Sequence, residues 1–160
     1  MRKILLALGI MALICTPAMA GPNANGAIIV HTNDSYTYLS ATVCATPLGQ
    51  PASCADATTR VESTGPAVVW FLAAFYTTAS PAVSSIYFGV DFDAAELDPS
   101  LQFGLCGPSG SMEVPDEGWP ARDAGNIVGF GTPGITSLLF PFYYFQYGLR
   151  RRAAAIGVDI

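Results

Sequence analysis

Ser85-Ile-Tyr-Phe-Gly-Val-Asp-Phe-Asp93 is the stretch whose reading decides the fold class. Extended backbone sends alternate side chains to opposite faces, so Ile86, Phe88, Val90 and Phe92 share one side of it. Ser85, Tyr87, Gly89, Asp91 and Asp93 share the other. That pattern describes a strand with one face on a core and one in water. Upstream, Ala67-Val-Val-Trp-Phe-Leu-Ala-Ala-Phe75 is apolar throughout and predicts a central strand buried on both faces, a buried helix being the alternative. Ala27–Val30 and the alternating segment Ser35–Val43 read as further strands, separated by an Asn33-Asp34 turn. Asn126–Phe130 reads as a short strand and Ser137–Tyr147 as a long aromatic one, with Pro141 implying an edge position or a bulge. Segment 44–66 reads as loop, Ala94–Leu97 as one helical turn, and 104–125 as a long irregular loop carrying Trp119. The prediction is an all-β fold, an antiparallel β-sandwich of about six or seven strands.

Composition bounds the rest. With 51% hydrophobic and 12% charged residues, the 160-residue chain is not of a disordered type, and its 16 Gly and 12 Pro fit short strands joined by turns. Residues 21–149 form one expected domain, in which Arg60 and Arg122 are the basic side chains against acids running from Asp34 to Asp123. Such a surface repels phosphate backbones, which argues against a nucleic-acid partner. Residues 1–20 read as a cleavable secretory signal peptide. Arg2 and Lys3 precede the apolar run Ile4–Ile14, and Ala18-Met19-Ala20 provides the cleavage site. The run is too short to span a bilayer, so no transmembrane span is expected in the mature form. Ile14 before Cys15 argues against a lipoprotein signal. The expected location is secreted or periplasmic.

Three cysteines remain after cleavage. Cys44 and Cys54, separated by a segment with Pro47 and Gly49, are the expected disulfide, adding about 2–3 kcal/mol. Cys106 is then left without a mate.

Several segments are candidates for chemistry. Ile28-Ile-Val-His-Thr-Asn-Asp34 resembles the opening of the 5′-nucleotidase group of metallophosphoesterases, in which Asp34 would match a metal ligand. Tyr36 stands where that motif has its second ligand, His31 is the one histidine of the chain, and no Gly-Asn-His-Glu segment follows, so the phosphoesterase reading is rejected. No Gly-x-Ser-x-Gly elbow frames a serine for a triad with His31. Asp91, Asp93, Glu96 and Asp98 are candidate Ca²⁺ ligands, hard oxygens close in sequence, but without the spacing of an EF-hand loop. Trp119, between Gly118 and Pro120, is a candidate for stacking on a sugar; its other role is to plug the end of the sandwich.

Leu138–Phe145 followed by Arg150-Arg151-Arg152 resembles a bacterial sorting tail of the PEP-CTERM kind, though no Pro-Glu-Pro precedes it. Residues 150–160 are therefore expected to be a basic and alanine-rich tail foreign to the domain, as if the domain were incomplete. Gly26–Asp34, Val68–Phe75, Phe88–Asp93 and Gly118-Trp119-Pro120 together are similar to a group of uncharacterised secreted bacterial proteins, a resemblance that implies export and no particular activity. The expected function is a non-enzymatic binding or structural role in the envelope or extracellular space, with a glycan or surface protein as partner and no cofactor. The alternatives are a secreted glycan-acting hydrolase using the acids near Asp91–Asp98, and a Ca²⁺-stabilised carbohydrate-binding module.

Overall fold

A computed structural model describes residues 21–33, 35–45, 49–60, 66–92, 97–149 and 157–159, with the backbone alone at 97–101, 148–149 and 157–159. The proposed signal peptide lies outside them. Eight strands run through the described residues: β1 (Ala27–Thr32), β2 (Ala67–Ala74), β3 (Ser85–Asp91), β4 (Leu97–Leu105), β5 (Met112–Pro115), β6 (Gly125–Gly129), β7 (Leu139–Leu149) and β8 (Gly157–Asp159). They form two antiparallel four-stranded sheets, ordered β1-β2-β7-β4 and β5-β6-β3-β8. The fold is a β-sandwich.

β2 explains why an unbroken apolar run belongs at the centre. Val69, Phe71 and Ala73 point to the second sheet, while Val68, Trp70 and Leu72 point the opposite way into a separate apolar cluster. All eight of its residues are buried, so neither face tolerates a charge. β3 keeps its expected alternation: Phe88 and Val90 are buried, Tyr87 is exposed. Phe88 sits at the middle of the inter-sheet core, with ring centroids 5.8 Å from Phe71, 5.0 Å from Phe142 and 5.3 Å from Tyr143. Burying such a ring contributes roughly 2–3 kcal/mol.

Three expectations need correction. Ser35–Val43 is not a strand: the chain turns between Leu39 and Ala45, with the N–H groups of Thr42 and Val43 both donating to the Leu39 carbonyl. Its alternation is real but serves to lay Tyr36 and Tyr38 onto the outside of the first sheet. Segment 104–125 is not all loop, because Met112–Pro115 pairs with β6 as the edge strand β5. Of the two settings expected for Pro141, an edge or a bulge, the chain uses the bulge: its strand is interior, flanked by β2 and β4, and a register shift sets Leu72 opposite Pro141 while Phe71 faces Tyr143. An extra residue of this kind is how an interior strand admits proline. Finally, the tail is not wholly foreign, since Gly157–Asp159 pairs with Gly89–Asp91 of β3 as β8.

Candidate functional site

The outer faces of the two sheets differ, and the difference begins with the excursion between β1 and β2. That excursion folds back over the first sheet. Trp70 is fully buried beneath it and donates its indole N–H to the Val43 carbonyl at 2.6 Å. Tyr36 meets Trp70 edge-on at 5.0 Å. Tyr38 reaches the Tyr144 hydroxyl at 3.2 Å, and burial, followed by that bond, lifts the Tyr144 hydroxyl well above the ordinary phenol range.

His31 pins the far part of the excursion. Its Nδ1 accepts the Thr58 N–H at 2.9 Å, so its proton sits on Nε2, which donates to the Gly49 carbonyl at 2.9 Å. Burial pulls its pKa below 6.5, the Gly49 bond opposing. Both nitrogens of this imidazole thus hold backbone. Gly49 has φ +73°, and a Cβ there would lie 2.7 Å from Trp70, so only glycine lets the chain cross the indole at this point.

The disulfide completes the cover, and it is not the expected one. Cys44 is bonded to Cys106, just past β4, while Cys54 is a free, exposed cysteine in the 3-10 turn Cys54–Asp56. Nearness in sequence favoured Cys54. The excursion, however, carries Cys44 to the edge of β4 and takes Cys54 towards the β1 side, beside an open groove of about 640 Å³ lined by Ala27, Ile29, Ala74 and Leu139. Cys106 is therefore paired.

Trp119 turns inward. Its half-buried indole packs edge-on against Phe88 at 5.2 Å and lies 5.7 Å from Phe145, and its N–H donates to the Tyr143 hydroxyl at 3.2 Å. Tyr143 in turn donates to Glu113 Oε2 at 2.9 Å, which also accepts from Asn126 Nδ2 at 3.0 Å. Burial foremost raises the Tyr143 pKa far above the ordinary phenol value, the Trp119 bond working against it. Trp119 is thus the plug of the sandwich. Glu113, inward-facing on edge strand β5, is the kind of charge that discourages another strand from adding there.

Of the candidate Ca²⁺ ligands, Asp91 lies on β3 of the second sheet and Asp98 on β4 of the first, while Asp93 and Glu96 lie outside the described residues, as does Asp34. Asp91 has a cation of its own: Arg122 Nε is 2.8 Å from Oδ1 and its terminal nitrogen 3.1 Å from Oδ2, a two-pronged pair. No cluster of three metal-ligating side chains occurs among the described residues.

Among the described residues, no part of the excursion covers the outer face of the second sheet. Val114, Ile127 and Tyr87 stand side by side across β5, β6 and β3, exposed by 59%, 43% and 61%. Met112 adjoins them, 64% exposed. One row further along, Gly89 faces Gly125. A Cβ on Gly125 would come within 2.7 Å of Tyr87 Cε2 and Cζ, so the hydroxyl end of the phenol packs where only glycine leaves room for it. Sequence reading put Tyr87 on the wet side of its strand. It did not single the residue out, because the row exists only once β5 and β6 are aligned beside β3.

Fold and faces together define a disulfide-stapled β-sandwich with one sealed and one open outer face. Among known proteins, no family model, no curated protein and no solved structure matches the chain. A disulfide of this kind persists in oxidising compartments, and no helix among the described residues is long and apolar enough to cross a membrane.

Proposed function

We propose that the protein is a non-enzymatic binding or structural module that works outside the cytoplasm, exported on residues 1–20, and that the open face of the second sheet is where it meets its partner. The carrying observation is the row Val114–Ile127–Tyr87 with Met112 beside it, apolar and exposed. Exposed apolar area gathered on one flat face marks an interaction surface more often than scattered apolar residues do. Three described groups that a hydrolase could use have other occupations. His31 holds the backbone through both ring nitrogens, Glu113 holds Tyr143 and Asn126, and Asp91 holds Arg122.

The test is co-sedimentation with an insoluble bacterial envelope fraction, using the chain expressed with its N-terminal segment. Wild-type protein is expected in the pellet with no release of new reducing ends. Ile127→Asp, which places a charge in the middle of the row, is expected in the supernatant. Release of reducing ends by the wild type would replace this reading with the hydrolase, and equal sedimentation of both proteins would remove the face from it.

A further inference from the structure

Resting on the reading of this face as a binding surface, we infer that its ligand is an uncharged polysaccharide, with Tyr87 as the platform on which a sugar ring stacks. Three features of the face carry this. The first is the ring itself. Tyr87 is largely exposed on the outer face, with the hydroxyl end of its ring against Gly125. The C–H face of a pyranose packs on an exposed aromatic ring of this kind. A residue larger than glycine at 125 would push the ring off the sheet.

The second is what lies along β3 from it. Asp91 is on the same face as Tyr87, four residues on and so about 13 Å away. Between them Gly89, paired with Gly125, has no side chain to obstruct a chain lying on the sheet. Asp91 and Arg122 form an exposed two-pronged pair, 43% and 65% accessible, which offers acceptor lone pairs and N–H donors to hydroxyl groups while remaining neutral as a unit. An apolar stacking surface flanked by a neutral hydrogen-bonding pair complements a sugar polymer, whose faces are apolar and whose edges are hydroxyls.

The third is size. Tyr87, Met112, Val114 and Ile127 together expose on the order of 400–500 Å², roughly half of what one partner contributes to a stable protein dimer. A few sugar units fill such an area, and a second copy of the chain needs more.

The experiment measures retention on purified microcrystalline cellulose, chitin and insoluble β-1,3-glucan, alongside the molar mass of the free protein by light scattering. The inference predicts that wild-type protein is monomeric and is held by at least one of these polysaccharides. Tyr87→Ala should weaken that retention about tenfold, Tyr87→Phe should keep it, and Arg122→Ala should weaken it without change in the circular dichroism spectrum. If none of the three retains the wild type, or if Tyr87→Ala is held equally well, the polysaccharide is overturned. If the wild type is dimeric and Ile127→Asp makes it monomeric, the occupant is a second copy. In either case the binding face itself stands as long as Ile127→Asp still abolishes envelope sedimentation, and it falls if Ile127→Asp sediments normally.

Discussion

Cys44 and Cys106 are bonded across 62 residues of sequence, with their Cα atoms 5.1 Å apart. The bond joins the excursion that follows β1 to the end of β4, and so ties the cover of the first sheet to the edge opposite β1. Closing a loop of that length restricts the unfolded chain by about 4 kcal/mol. A double Cys44→Ala, Cys106→Ala variant is expected to lose a large part of that in urea unfolding, whereas Cys54→Ala leaves the midpoint unchanged. Non-reducing peptide mapping after alkylation of the native protein should find 44 linked to 106 and 54 alkylated.

His31 makes the same cover sensitive to acid. Its folded pKa lies below the ordinary 6.5, so the unfolded chain binds the proton first as the pH falls. The stability this residue contributes is therefore complete above 6.5 and drains away as the pH drops towards the lower folded value. Protonation of Nδ1 also removes the acceptor of the Thr58 N–H. Urea midpoints measured on both sides of 6.5 should fall in acid for the wild type and fall less for His31→Gln. His31→Ala should cost about 1–3 kcal/mol at neutral pH, because it strands two backbone partners.

Gly49 tests how tightly the excursion is seated. With φ +73° and Trp70 2.7 Å from a would-be Cβ, Gly49→Ala combines backbone strain with a clash against a fully buried indole. The expected loss is about 2–3 kcal/mol. Gly110→Ala, where φ is +88° but nothing lies within 4 Å, should cost only the backbone part, about 1 kcal/mol. Thermal melts of the two variants separate the contributions.

Trp119 behaves as core in this account. Trp119→Phe keeps the ring packing and loses the N–H bond to Tyr143, an expected cost of about 1 kcal/mol, while Trp119→Ala should cost about 2–4 kcal/mol. Neither depends on a ligand. Equal retention of Trp119→Phe and wild-type protein on the polysaccharide that binds would agree with the inward placement.

What could be read in advance followed from burial. β2 and β3 announced themselves because a two-sided and a one-sided core leave different periodicities in Ala67–Ala74 and Ser85–Asp91. β5 left little trace: Met112–Pro115 is four exposed residues with a charge and a proline, the composition of an edge. Tyr36 and Tyr38 showed which side chains turn inward, but periodicity does not say whether the backbone has a hydrogen-bonded neighbour, and here it covers a sheet without joining one. The disulfide partner was hidden for a similar reason, since Cys44 meets Cys106 through the path of the excursion and not through spacing. Residue type made Trp119 a candidate either for stacking on a sugar or for plugging the sandwich. Its placement is that of the plug, with the indole against Phe88 and Tyr143, while Tyr87 is left outside.

The inequality of the two outer faces is most directly tested by hydroxyl-radical footprinting of the native protein before and after reduction of its disulfide. The account predicts heavy labelling of Tyr87 and Met112 in both states, with Trp70 and Tyr144 protected until Cys44–Cys106 is reduced and labelled afterwards. Labelling of Trp70 and Tyr144 in the oxidised protein at the level of Tyr87, or protection of Tyr87 and Met112 in the free protein, would contradict it.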